Sequence, residues 1–126
     1  MVRKIISLDF DGVVHSYTSP WVDEETIPDP PVDGAFAFMR RAIEKFDIVI
    51  HTSRGRSSLG RYAVEHWMKR WAQATFPNDW HWISRVRVVP HKPAAHLSID
   101  DRGYQFNGEF PDLEYIESFV PWNKLT

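Results

Sequence analysis

The feature that most constrains this chain is an apolar run, Ile5 to Leu8, that leads into Asp9-Phe10-Asp11-Gly12. The run is typical of a buried β-strand, and strands alternate their side chains, so both aspartates point to the same side. Burying an unpaired carboxylate is costly, and two neighbouring carboxylates repel each other unless a cation or a shared proton relieves them. The pair therefore predicts a chemical site at the end of the first strand.

The composition bounds the fold and excludes several classes of function. The chain has 126 residues, 43% hydrophobic and 25% charged, which suits a single domain over residues 1–126 with a real core. A formal net charge of −2 gives no sign of bulk binding to nucleic acid or anionic membrane. Cysteine is absent, which excludes disulfides, thiolate zinc sites and a cysteine nucleophile. Nothing resembles a secretory signal or a membrane span, so we expect a soluble, cytoplasmic protein.

Strand and helix patterns alternate along the chain, which predicts an α/β fold with a parallel sheet covered by helices. The predicted strands are residues 5–9, 47–52, 86–90 and 95–100, and the predicted helices are residues 34–45, 57–74 and 112–119. Residues 15–33, which we call the flap, are predicted to be irregular because they contain Pro20, Pro28, Pro30 and Pro31. The pair Asn107-Gly108 lies between aromatic residues and predicts a β-hairpin over residues 104–110.

Polar side chains follow each predicted strand at its carboxyl end. They are Asp9 with Asp11, Thr52 with Ser53, Lys92, and Asp100 with Asp101. Because the carboxyl ends of parallel strands meet at the edge where ligands bind, we expect these side chains to converge. A carboxylate can attack phosphorus and another can move protons. A hydroxyl and an ammonium can hold phosphoryl oxygens, and further carboxylates can hold Mg²⁺.

The order of these motifs resembles that of the haloacid dehalogenase superfamily. The matching segments are residues 9–14, 48–54, 92–93 and 97–102, so the resemblance covers most of the chain. It implies a Rossmann-like sheet flanked by helices and a Mg²⁺-dependent phosphatase, a hydrolase that forms an aspartyl phosphate. The ending Asp100-Asp101-Arg102 is similar to that of short phage and bacterial members.

The resemblance also implies a role for each matching residue. Asp9 is expected to be the nucleophile, and Asp11 the general acid/base. The phosphate is expected to contact Thr52 or Ser53, together with Lys92. The expected metal ligands are Asp9, the backbone carbonyl of Asp11, Asp100 and, directly or in support, Asp101. An acid at Asp11 favours a phosphatase over a dehalogenase, because the leaving oxygen needs a proton donor.

The flap occupies the place where members of the superfamily often insert a cap domain, and it is too short to be one. We expect it to supply at most a small lid, with Tyr17 and Trp21 as substrate contacts beside Arg54. The expected substrate is a phosphorylated small metabolite or nucleic-acid end, with a second copy of the chain as an alternative cover for the site. His15, His51 and His91 lie near the predicted site and are expected to be ordinary hydrogen-bonding residues.

Two other classes of function remain open at this point. A receiver-like signalling domain also uses acids, a hydroxyl and a lysine around Mg²⁺, but there the second acid precedes the lysine, whereas here Asp100 and Asp101 follow Lys92. A small metal-dependent nuclease also uses clustered carboxylates, but it has no evident need for Thr52 and Lys92.

Overall fold

The computed structural model of the protein describes residues 2–124, so the first residue and the last two of the predicted domain lie outside the described residues. The strands are β1 (Ile5–Leu8), β2 (Asp47–His51), β3 (Arg87–Val89) and β4 (Leu97–Ile99), and the helices are α1 (Ala35–Ala42), α2 (Ser58–Thr75) and α3 (Leu113–Ser118). Short 3₁₀ turns cover Ser53–Arg56, His81–Arg85 and Trp122–Lys124.

The four strands form one sheet in the order β3-β2-β1-β4, and every neighbouring pair is parallel. This confirms an α/β chain with a parallel sheet flanked by helices, which is compatible with a Rossmann-like fold. Since all four strands run in the same direction, their carboxyl ends lie at one edge of the sheet. The residues that follow β1, β2 and β4 are thereby brought together.

Helices α1 and α2 pack on the same face of the sheet. The core on that face is built from Ile6, Leu8, Ile48 and Ile50 of the strands, Phe36 and Met39 of α1, and Val64, Trp67 and Met68 of α2. The steps from β1 to β2 and from β2 to β3 go in the same direction across the sheet. Right-handed crossovers therefore place both connecting helices on one side.

The step from β3 to β4 goes the other way, so its crossover belongs on the opposite face. Residues 90–96 make this connection, and within the described part of the chain no helix forms there. Strand alternation puts Ser7 and His51 on this second face, away from Leu8 and Ile50. The second face therefore keeps open space beside the ends of β1 and β2.

The predicted β-hairpin over residues 104–110 is wrong. Asn107 Oδ1 accepts a hydrogen bond from the Glu109 N–H at 3.1 Å and Gly108 has a φ of 106°, so a turn does form. Within the described residues, however, the flanking segments do not pair as strands. An isolated two-stranded hairpin is marginal in water, and Phe110 is 87% exposed instead of packing on the core.

The predicted helix starts are close to those observed. Ser57 Oγ accepts a hydrogen bond from the Gly60 N–H at 3.0 Å and caps α2, as its sequence position indicates. All six residues of α3 are exposed. None of the helices in residues 2–124 combines the length and the apolar character needed to cross a membrane.

Candidate active site

A cavity of about 340 Å³ opens at the carboxyl ends of β1, β2 and β4, on the second face of the sheet. Its lining consists of Ser7, Asp9, His51, Thr52, Ser53, Lys92, Ser98, Ile99 and Asp100. The cavity thus unites the predicted nucleophile, both hydroxyl candidates, the predicted lysine and one predicted metal ligand. These residues come from all four motifs, which lie apart in the sequence.

Three carboxylates meet beside this cavity. Oxygen atoms of Asp9, Asp100 and Asp101 lie within 4.8 Å of one another. Burial raises the pKa of Asp9 to about 7, and its hydrogen bond with Asp101 and the negative charge of Asp100 act in the same direction. Burial also raises the pKa of Asp101. The negative charge of the three carboxylates is therefore only partly compensated by neighbouring groups.

The cluster fits a hard metal ion. Asp101 Oδ1 is buried and has no hydrogen-bond partner among the described residues, so an acceptor is left without a donor. Gly12 lets this carboxylate approach, because a Cβ at Gly12 would lie 2.2 Å from Asp101 Oδ2. Its φ of 86° also favours glycine. Carboxylate oxygens are ligands that such cations prefer, so Asp9, Asp100 and Asp101 can hold a metal ion.

The Asp11 carboxylate lies outside this cluster. His15 Nδ1 is 2.8 Å from Asp11 Oδ1, and Arg54 Nε donates to Asp11 Oδ2 at 2.9 Å. Burial opposes ionisation of Asp11, but the hydrogen bonds from His15 and Arg54 outweigh it and lower the pKa of this carboxyl. Asp11 is thus an ionised, oriented carboxylate, and any contact that it makes with the metal has to come from its backbone.

The two hydroxyl candidates occupy different environments. Thr52 is buried, and its Oγ1 accepts the Arg54 N–H at 3.2 Å and caps the 3₁₀ turn. The Thr52 hydroxyl can still donate, because accepting a bond does not use its hydrogen. Ser53 and Lys92 are exposed at the cavity. Both hydroxyls line the cavity, so Thr52 and Ser53 both remain candidates for phosphate binding.

Arg54 lies elsewhere than predicted. Its side chain is only 1% exposed, and the residue is not part of the cavity lining among the described residues. Besides Asp11, it donates through Nη1 to the carbonyl oxygens of Asp23, Glu24 and Thr26, each at 3.0 Å. This geometry contradicts the expectation that Arg54 contacts the substrate, because its guanidinium is bonded to groups inside the protein.

The aromatic residues of the flap also lie away from the cavity lining. The Trp21 ring stacks on the Arg54 guanidinium at 4.5 Å and remains 47% exposed. The Tyr17 ring lies 4.1 Å from Lys124 Nζ. In this structure both rings cover charged groups of the protein, so substrate contact by Tyr17 and Trp21 stays a prediction.

The flap is fastened to the body of the protein at several points. In addition to the three carbonyl contacts of Arg54, Ser57 Oγ donates to Glu24 Oε2 at 2.6 Å. Trp67 Nε1 donates to the Asp29 carbonyl at 3.3 Å. These bonds join the flap to the 3₁₀ turn after β2 and to α2. These bonds hold the flap beside Asp11, and the flap does not line the cavity next to Asp9.

Sequence reasoning missed two features of the site. The first is His15, predicted to be an ordinary hydrogen-bonding histidine, which is fully buried against Asp11. The only signal was its position four residues after that acid. The second is Trp122, whose Nε1 donates to the Gly12 carbonyl at 2.7 Å. A contact between residues so far apart in sequence carries no local signal.

Comparison with known proteins does not identify a family for this chain. No family model matches the chain, and the curated proteins and the solved structures give no match. The fold and site define an α/β protein with a four-stranded parallel sheet and an acidic cluster that can hold a metal ion.

The buried position of Arg54 predicts a specific loss of stability. Arg54→Lys removes the planar fork that donates to Asp11 and to three flap carbonyls, and a lysine cannot satisfy these acceptors. We expect the free energy of unfolding to fall by on the order of 2–4 kcal/mol in urea titrations. The exposed Arg56 in the same 3₁₀ turn gives the control, because Arg56→Lys should change it by less than about 0.5 kcal/mol. Equal effects would contradict this reading of Arg54.

The raised pKa of Asp9 predicts how the stability of the metal-free protein depends on pH. Between its ordinary value of 3.8 and about 7, the folded protein keeps a proton that the unfolded chain releases. The contribution of the protonated Asp9 to the free energy of unfolding is therefore fully present below about pH 4 and is lost as the pH rises towards 7. Asp9→Asn removes this dependence, so near pH 8 in EDTA the variant should be more stable than wild type by on the order of 2 kcal/mol.

Urea titrations at about pH 5 and about pH 8 measure this difference. At the higher pH, an added divalent cation should stabilise the wild type more than Asp9→Asn, because the cation compensates the carboxylate that the variant lacks. A difference between variant and wild type that is the same at both pH values would contradict the raised pKa of Asp9.

Proposed function

We propose that this protein is a Mg²⁺-dependent phosphomonoester hydrolase that works through an aspartyl phosphate on Asp9. The observation that carries the proposal is one cavity that unites Asp9, Thr52, Ser53, Lys92 and Asp100 beside a cluster of three carboxylates. A phosphate group needs a nucleophile, donors for its oxygens and compensation of its negative charge. The cavity offers residues for each of these needs.

The proposed reaction has two steps. In the first, Asp9 attacks phosphorus and the bond from phosphorus to the ester oxygen breaks. Asp11, which is ionised in this structure and first takes a proton from solvent or from the water of the preceding turnover, gives that proton to the leaving oxygen. In the second, water attacks the aspartyl phosphate, Asp11 takes the proton of that water, and phosphate leaves as the Asp9 carboxylate is restored. The ionised Asp11 of this structure is in the form that the second step requires.

Lys92 and the hydroxyls of Thr52 and Ser53 act on the phosphoryl oxygens in this proposal. The lysine ammonium supplies charge, and each hydroxyl supplies a directed donor. Asp9, Asp100 and Asp101 would hold Mg²⁺. When bound, the ion neutralises the acids of the site and the charge of the phosphate.

The cavity is open and is small for a ligand-binding site. Its volume of about 340 Å³ lies at the lower end of the range for small-molecule sites, and Ser53, Lys92 and Asp100 at its lining are exposed. With the flap fastened beside Asp11, the rest of the substrate extends into solvent or against a second copy of the chain. We propose a phosphorylated metabolite or a nucleic-acid end, and a panel of sugar phosphates, nucleotides and 3′- or 5′-phosphorylated oligonucleotides separates these.

The central experiment replaces the nucleophile. Asp9→Asn keeps the size of the side chain but removes the attacking carboxylate, so turnover of p-nitrophenyl phosphate with Mg²⁺ should fall by at least about 10³-fold. Circular dichroism checks that the variant is folded. Asp33→Asn is the control, since Asp33 is exposed near the start of α1 and outside the cavity, and its turnover should match wild type. Substantial turnover by Asp9→Asn would refute the assignment of the nucleophile.

A second experiment tests Lys92. Removing its ammonium by Lys92→Ala should lower kcat/KM by about 10²-fold, because a charged donor to the phosphoryl oxygens is lost. Lys45→Ala is the matched control, since Lys45 is an exposed lysine just after α1, outside the cavity. Unchanged kinetics in Lys92→Ala would remove the lysine from the proposed site.

The two other classes give different outcomes in the same assays. A receiver-like domain would be phosphorylated stably by acetyl phosphate without turnover of phosphomonoesters. A nuclease would cleave internal phosphodiesters of an oligonucleotide and leave a terminal phosphate in place. Either result would replace the phosphatase proposal.

A further inference from the structure

His15 is fully buried, packs against two aromatic rings and uses both ring nitrogens in hydrogen bonds. Its side chain is 0% exposed, and its ring stacks on Phe10 at 5.5 Å and meets the edge of Trp67 at 5.6 Å. Both neighbours belong to the core, so the plane of the imidazole is fixed on two sides. Only the two ring nitrogens remain available for specific contacts.

The two ring nitrogens have opposite hydrogen-bonding partners. Nε2 lies 3.1 Å from the Asp29 backbone N–H and accepts its hydrogen bond, so Nε2 carries a lone pair in this geometry. The hydrogen of the neutral ring is then on Nδ1, which donates to Asp11 Oδ1 at 2.8 Å. The flap backbone at Asp29 therefore determines which nitrogen of His15 faces Asp11.

The Asp11 carboxylate is held from both sides. Oδ1 takes the His15 bond, and Oδ2 takes the Arg54 Nε–H at 2.9 Å. With one directed donor on each oxygen, rotation of the carboxylate would break at least one bond. Both donors also contact the backbone of the flap: His15, the first flap residue, accepts from the Asp29 N–H, and Arg54 donates to three flap carbonyl groups.

We propose that His15 is a positioning residue that fixes the orientation of the Asp11 carboxylate for proton transfer. It acts through Asp11 and takes its own orientation from the flap at Asp29. The inference rests on the proposed function, because Asp11 has a proton to transfer only if phosphate esters are hydrolysed at Asp9.

The two steps of the reaction depend on Asp11 to different degrees when the leaving group is p-nitrophenolate. This group leaves as an anion, so formation of the aspartyl phosphate needs little help from an acid. Hydrolysis of the aspartyl phosphate still needs Asp11 to take a proton from water. Loss of orientation at Asp11 should therefore slow the second step and leave the first largely intact.

Two substitutions of His15 separate its two contacts. In His15→Asn the side-chain amide nitrogen can take the place of Nδ1 and donate to Asp11, while the acceptor for Asp29 is lost. In His15→Gln the side-chain oxygen can take the place of Nε2 and accept from Asp29, while the donor to Asp11 is lost. Both variants replace a buried ring with a smaller amide, so their packing losses are similar.

Rapid mixing with p-nitrophenyl phosphate measures both steps. For His15→Gln we expect a burst of about one p-nitrophenolate per enzyme, then a steady-state rate about 10-fold or more below wild type. Intact-mass analysis of acid-quenched samples should show one phosphoryl group on the protein. His15→Asn should retain a higher steady-state rate than His15→Gln, although its stability falls because the Asp29 N–H is left unpaired.

A double-mutant cycle tests whether His15 acts through Asp11. In an Asp11→Asn background, His15→Gln should cause little further loss of steady-state rate, because the carboxylate that it orients is gone. Equal loss of burst and steady state in both His15 variants, or additive losses in the cycle, would reduce His15 to a packing residue.

Failure of the proposed function gives a different result. Wild-type protein would then turn over no phosphomonoester, and the positioning role would fall with it. If the His15 variants do not fold, ¹⁵N NMR of the wild-type imidazole keeps the proposal testable. Hydrogen on Nδ1 is expected, and hydrogen on Nε2 would overturn the proposed contact with Asp11.

Discussion

The site depends on how the protein compensates two carboxylates that it buries at the end of one strand. Asp11 is compensated by the protein itself, since Arg54 donates to one of its oxygens and His15 to the other. Asp9 instead faces two further acids, Asp100 and Asp101, and burial raises its pKa to about 7. Two acids that are separated by one residue therefore have pKa values shifted in opposite directions, because their neighbours differ.

The compensation of Asp11 also explains the form of the flap. A buried guanidinium has five N–H donors, more than a single carboxylate can accept, and leaving them unpaired is costly. Nη1 of Arg54 donates to the carbonyl oxygens of Asp23, Glu24 and Thr26, in addition to the bond from Nε to Asp11. The irregular backbone of the flap is useful here, because its carbonyl groups are not already used in a helix or a sheet. Charge compensation at Asp11 and attachment of the flap are thus one set of interactions.

The convergence of the site could be predicted from sequence because it follows from topology. Once β1, β2 and β4 are parallel neighbours, residues such as Asp9, Thr52 and Asp100 must meet at one edge. The place of Arg54 could not be predicted, since burial of an arginine depends on acceptors supplied by distant backbone. The hairpin at Asn107-Gly108 failed for a related reason: a turn signal is local, but strand pairing needs a surface to pack on.

Because the pKa of Asp9 is raised, the proposed metal ion would have a second role besides binding the substrate: it would favour the ionised form of Asp9. A nucleophilic carboxylate has to be ionised, yet burial and two neighbouring acids favour its protonated form near neutral pH. Asp9, Asp100 and Asp101 could hold a cation, and a cation there would reverse this balance by stabilising the ionised carboxylates together. Asp11 does not need a cation, since the hydrogen bonds from His15 and Arg54 already lower its pKa. In the proposed reaction, the dependence on a cation therefore arises at the nucleophile itself, before any phosphate has bound.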